Sequence, residues 1–84
     1  MTLVIGIVED MQGLPVPNAL VTVESGTESF PDIAIYSDTE GQFQIHLPEG
    51  RFRLAAHSPD GGKGTVEYYS DTSDHLLIRI GGNP

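Results

Sequence analysis

Eighty-four residues suffice for one small domain and not for two, so a single hydrophobic core within residues 1–84 has to hold the fold. With 38% hydrophobic against 19% charged residues the chain is too apolar for disorder, and the absence of cysteine removes disulfides, thiolate metal ligands and thiol nucleophiles. Twelve acidic against four basic residues give a net charge of −8, which repels phosphate backbones and anionic bilayers and argues against nucleic acid or a membrane as partner.

In chain order, apolar residues recur at every second position and predict strands, and no window sustains a helical face. The first strand, residues 3–8, is apolar on both parities. It has no basic segment before it and is too short for a signal core or a membrane span, so the expectation is a cytoplasmic domain, or an extracellular one if carried by a larger secreted chain. Gly6 in its middle predicts a bulge or a close backbone approach. Gln12-Gly13-Leu14-Pro15-Val16-Pro17-Asn18 then breaks the chain, and strands are predicted over 19–24 and 33–37. Ser37-Asp38-Thr39-Glu40-Gly41 is a turn whose glycine takes a left-handed conformation.

The strands 42–47 and 51–57, joined by Pro48-Glu49-Gly50, read as a β-hairpin. Phe43, Ile45 and Leu47 share its inner face with Phe52, Leu54 and Ala56, while Gln44, His46, Arg51 and Arg53 lie on the outer one. Ser58-Pro59-Asp60-Gly61-Gly62 follows, and Asp60-Gly61-Gly62-Lys63-Gly64 reads as looser than a tight turn. The last strands are expected over 64–69 and 75–80. Seven short strands with turn signals between them predict an all-β fold of two packed sheets.

The run Val4-x-Gly6-x-Val8-x-Asp10-x-x-Gly13-x-Pro15-Val16-Pro17-Asn18-Ala19-x-Val21-x-Val23 is followed by Ser37-Asp38-x-x-Gly41-x-Phe43-x-Ile45-x-Leu47-Pro48-x-Gly50-x-Phe52-x-Leu54-x-Ala56. Together they resemble the carboxypeptidase regulatory-like domain over nearly the whole chain. The resemblance implies a seven-stranded transthyretin-like, or prealbumin-like, β-sandwich of Greek-key type with antiparallel or mixed sheets. It also implies an accessory domain without an active site, accompanying a larger protein.

Enzymatic readings find little support in the residues. His46, His57 and His75 with Tyr36, Tyr68 and Tyr69 supply the ligand types of the iron sites in related sandwiches, but without the short convergent spacing of metal motifs. Transthyretin-like hydrolases of oxidised urate end in Tyr-Arg-Gly-Ser, which Ile80-Gly81-Gly82-Asn83-Pro84 does not match. Asp10, Asp38, Glu40, Asp60, Asp71 and Asp74 lie in turns, where turn chemistry alone explains them without calcium. Lys63, the single lysine, is placed in a glycine-rich loop unsuited to an internal Lys–Asn crosslink. No cofactor is expected, and the chain is not expected to be an enzyme.

One feature exceeds the family pattern. With Val4, Gly6 and Val8 facing the core, Leu3, Ile5 and Ile7 share the opposite face of the first strand, and Leu20 and Leu77 extend the candidate surface. A strand apolar on both sides is one covered on both sides. The expected function is therefore a non-catalytic protein-interaction or scaffolding module, with a protein partner or self-association through these residues. The alternatives are a carbohydrate or small-ligand binding accessory domain using Tyr36, Tyr68 and Tyr69, and an adaptor domain of a secretion-spike or phage-tail-like assembly.

Overall fold

Short apolar-rich segments, several alternating with polar residues, make seven strands, and two sheets share what they bury. The structure, a computed structural model, describes residues 2–26, 34–69 and 75–81. The strands are β1 (Thr2–Glu9), β2 (Leu20–Gly26), β3 (Ala34–Tyr36), β4 (Gln42–Leu47), β5 (Arg51–His57), β6 (Lys63–Tyr69) and β7 (His75–Arg79). Among the described residues there is no helix. One sheet has three strands in the order β4-β1-β7, the other four in the order β3-β2-β5-β6. The four-stranded sheet is antiparallel throughout, whereas β1 pairs antiparallel with β4 and parallel with β7. The protein is an all-β sandwich with one mixed and one antiparallel sheet.

The hairpin expected between β4 and β5 does not form. β4 pairs with β1 in one sheet, and β5 pairs with β2 and β6 in the other. Pro48-Glu49-Gly50 therefore carries the chain from sheet to sheet. Phe43, Ile45 and Leu47 meet Phe52, Leu54 and Ala56 in the core from opposite sheets, all of them buried. Val4, Val8, Val21, Tyr68, Ile78 and Ile80 complete the shared core. Fully burying side chains of this size stabilises by about 1.5–3 kcal/mol each, which is how so short a chain sustains a fold without crosslinks.

Gly6 makes no bulge, since its strand keeps register with both neighbours. It is a close approach: Gly6 pairs with Phe43, and a Cβ there would fall on the Phe43 ring. A large aromatic thus lies over a residue that offers no side chain of its own. Gly64 performs a different service at the seam between the sheets. A Cβ on it would collide with the Arg79 carbonyl, and alongside it the Gly81 N–H donates to the Lys63 carbonyl at 3.1 Å.

Three turns gather at one end of the sandwich and have the same construction. In Asp10–Leu14, Asp38–Gln42 and Ser58–Gly62 the first residue's N–H donates to the carbonyl of the fifth, and its own carbonyl accepts from the N–H of the fourth. That fourth residue is glycine at positive φ each time: Gly13 at 82°, Gly41 at 78° and Gly61 at 97°. The first side chain locks the turn from inside. Asp10 Oδ1 accepts from the N–H groups of Gln12 and Leu14, and Asp38 Oδ1 from those of Glu40 and Gln42. Ser58 Oγ accepts from the Gly62 N–H at 2.9 Å. The 58–62 segment is therefore a tight turn, and the looser stretch expected over 60–64 does not exist: Lys63 opens β6 instead of sitting in a loop.

Buried Ser37 ties the long β1–β2 connection to the end of β3. Its hydroxyl donates to the Val16 carbonyl at 2.7 Å and accepts from the Ala19 N–H at 2.9 Å. Both capacities of a buried hydroxyl are met, so it costs the core little.

Candidate functional site

The register of the three-stranded sheet determines which side chains share its outer face. On β1 these are Leu3, Ile5, Ile7 and Glu9. Across from them stand His46, Gln44 and Gln42 on β4, and His75, Leu77 and Arg79 on β7. Leu3 is 39% exposed, Ile5 38% and Leu77 45%, and Ile7 is half-buried. Ile7 and Leu77 are direct cross-strand partners, so the apolar row broadens at that level. Polar and charged neighbours rim it, and Arg79 pairs with Glu9 at 3.5 Å.

Leu20 does not join this surface. It lies on β2, half-buried on the outside of the four-stranded sheet between Tyr36 and His57, and so on the opposite face of the sandwich. Parity relates residues within one sheet and is silent about which sheet a strand enters. Four of the five candidates, Leu3, Ile5, Ile7 and Leu77, are brought together.

An open groove of about 560 Å³ lies at the end where the turns gather. Asp10, Met11, Asn18, Ser58, Asp60 and Ile80 contribute to its lining. The Ser58 hydroxyl, and then the Gly62 N–H, hold the Asp60 carboxyl below the usual carboxylate range. Nothing in the sequence foretold this groove. It arises where two turns far apart in the chain meet, and Met11, 64% exposed on one of them, reads in isolation as an ordinary surface residue.

The residues weighed for metal or catalytic chemistry are dispersed. His46 and His75 sit on opposite edge strands of the three-stranded sheet, and His57 belongs to the other sheet. Tyr68 is in the core, Tyr36 is on the edge strand β3, and Tyr69 pairs with Arg51 at the far end of β6, so the three offer no common stacking surface. Asp10, Asp38 and Asp60 each commit an oxygen to their own turn. Asp71 and Asp74 lie outside the described residues. Among the described residues no three His, Asp or Glu side chains stand close enough to hold a metal ion, and no helix is long and apolar enough to cross a membrane. Lys63 pairs with Glu24 at 2.9 Å.

No protein-family model matches the chain, and no curated protein matches it significantly.

Proposed function

We propose that this domain is a non-catalytic interaction module that docks a protein through the outer face of its three-stranded sheet. The observation that carries the reading is the row Leu3, Ile5, Ile7 and Leu77, apolar and accessible on a sheet whose other face already fills a complete core. Single exposed apolar residues are ordinary, but contiguous ones with a polar rim characterise contact surfaces. The carboxypeptidase regulatory-like resemblance and a transthyretin-like, Greek-key arrangement belong to the same proposal. The strand count and the two-sheet core are compatible with them. An accessory role beside a larger protein follows, whether in an enzyme, a receptor or a spike or tail assembly.

The test is Ile5→Lys. Because Ile5 points away from the core, the variant should fold with a stability within about 0.5 kcal/mol of the parent, as outward substitutions do. A lysine ammonium buried at the contact would remove binding. If the row is instead covered by the chain itself, the same change should cost several kcal/mol in urea unfolding, and the surface would be internal.

The end groove favours a second reading, a small-ligand accessory domain. Its test is a shift of the Gly62 and Gln12 amide resonances on titration with mono- and oligosaccharides. An unchanged spectrum at millimolar ligand would end that reading.

A further inference from the structure

The charge distribution narrows the choice of partner. The chain carries −8 overall, yet among the described residues the strands of this outer face present one carboxylate, Glu9, and that is matched by Arg79. The remaining described strand positions of the face are apolar residues, glutamines and histidines. Across these positions two copies can meet without opposing carboxylates.

We propose that the occupant of this face is a second copy of the chain, packed sheet to sheet about a two-fold axis near Ile5; the inference rests on the interaction surface proposed above. A two-fold contact requires a self-complementary patch. The row supplies one, because rotation about Ile5 lays Leu3 of each copy over the wider Ile7–Leu77 end of the other. Strands about 4.8 Å apart and rising about 3.3 Å per residue give the face a footprint of roughly 350 Å². That is well short of the roughly 800 Å² per partner of a standard interface, so the dimer is weak and reversible. The rest of each copy is acidic, and long-range repulsion opposes the encounter. Added salt screens that repulsion while leaving the apolar contact intact. Association should therefore strengthen with ionic strength, the reverse of a contact steered by opposite charges.

Sedimentation velocity of the full chain, from about 10 μM to 1 mM at low and at high sodium chloride, tests the proposal on the scale where weak association shows. The expected result is a concentration-dependent rise from monomer toward dimer, larger at high salt and absent in Ile5→Lys. Leu77→Lys, on the edge strand, should also abolish it. A wild type that stays monomeric throughout overturns the second copy as occupant; if Ile5→Lys then keeps the parent's stability, the face remains open to a different protein. Association that weakens with salt, or that survives both substitutions, also overturns the proposal. An Ile5→Lys chain destabilised by several kcal/mol overturns this inference and the proposed function together.

Discussion

The two outer faces of the sandwich lie over the same core, yet their centres end in different chemistry. On the four-stranded sheet the outward positions carry Thr22, Glu24, Arg51, Arg53, Thr65, Glu67 and Lys63, with Leu20 and Tyr36 toward one end and Tyr69 toward the other. Their charges close over the sheet itself. Arg53 pairs with its cross-strand neighbour Glu67 at 3.3 Å. Glu24 is the extra residue where the β2–β5 register shifts, a bulge that re-aims its side chain, and it reaches across β5 to Lys63 on β6. Beneath that span lies Ala55, fully buried although its parity is outward. On the three-stranded sheet, Leu3, Ile5, Ile7 and Leu77 occupy the equivalent positions, and among the described residues no such lattice of charges covers them. An outer face can be finished by its own long side chains or left for something else to finish.

The largest effect expected is one that removes both faces at once. Phe43 lies over Gly6 and belongs to the core that both sheets share, so Phe43→Ala should cost about 3–5 kcal/mol, and Leu54→Ala on the other sheet about 2–5 kcal/mol. In a domain of this size either change threatens folding. Chemical denaturation measures it, and near-neutral values would mean that inward and outward faces are exchanged. Next comes the turn that starts β4. Asp38→Ala removes an acceptor from two backbone N–H groups and should cost about 1–2 kcal/mol, read as a lower melting midpoint with the sheet spectrum retained.

The bounds of β4 and β5 were legible in the sequence to the residue, because β4 alternates throughout, β5 does so except at Ala55, and Pro48-Glu49-Gly50 separates the two. Their partners were not. Alternation says which side of a strand faces the core, and two strands that pair within one sheet or oppose each other across a core carry the same pattern. That one ambiguity produced both the hairpin and the placement of Leu20 with Leu3. The stretch 60–64, expected to be looser than a tight turn, was misread for a different reason. Its consecutive glycines suggest slack, whereas only Gly61 supplies positive φ, and Gly62 is a buried residue that donates to Ser58 Oγ. The end groove left no local signal at all.

A smaller effect sharpens the contrast between the faces. Thr65 is exposed on β6, beside Ala55 on the charged face. Thr65→Ile should change stability by less than about 0.5 kcal/mol, since both residues are β-branched and suit a strand surface. It should also create no self-association. A lone isoleucine among ion pairs is not a contiguous row, and a Thr65→Ile chain that dimerises like the parent's apolar face would show that continuity is not what distinguishes the two sides.

The smallest effect expected is that of the span over Ala55. Lys63 holds the Glu24 carboxyl below the ordinary glutamate range, chiefly through its hydrogen bond and then through its charge, with Arg53 and His57 adding attraction and partial desolvation opposing it. A carboxyl whose folded pKa is depressed contributes stability above its unfolded value, about pH 4.3, and loses it as the pH falls through the lowered one. Glu24→Gln should therefore melt slightly below the parent at neutral pH and low salt. The gap should close on acidification, because the parent loses the charge that the variant never had. It should also narrow at high salt, since both partners are partly solvent-exposed and screened. A gap that persists under acid would mean that the Glu24 side chain covers Ala55 by packing alone, and the charged face would then owe its closure to side-chain length rather than to paired charge.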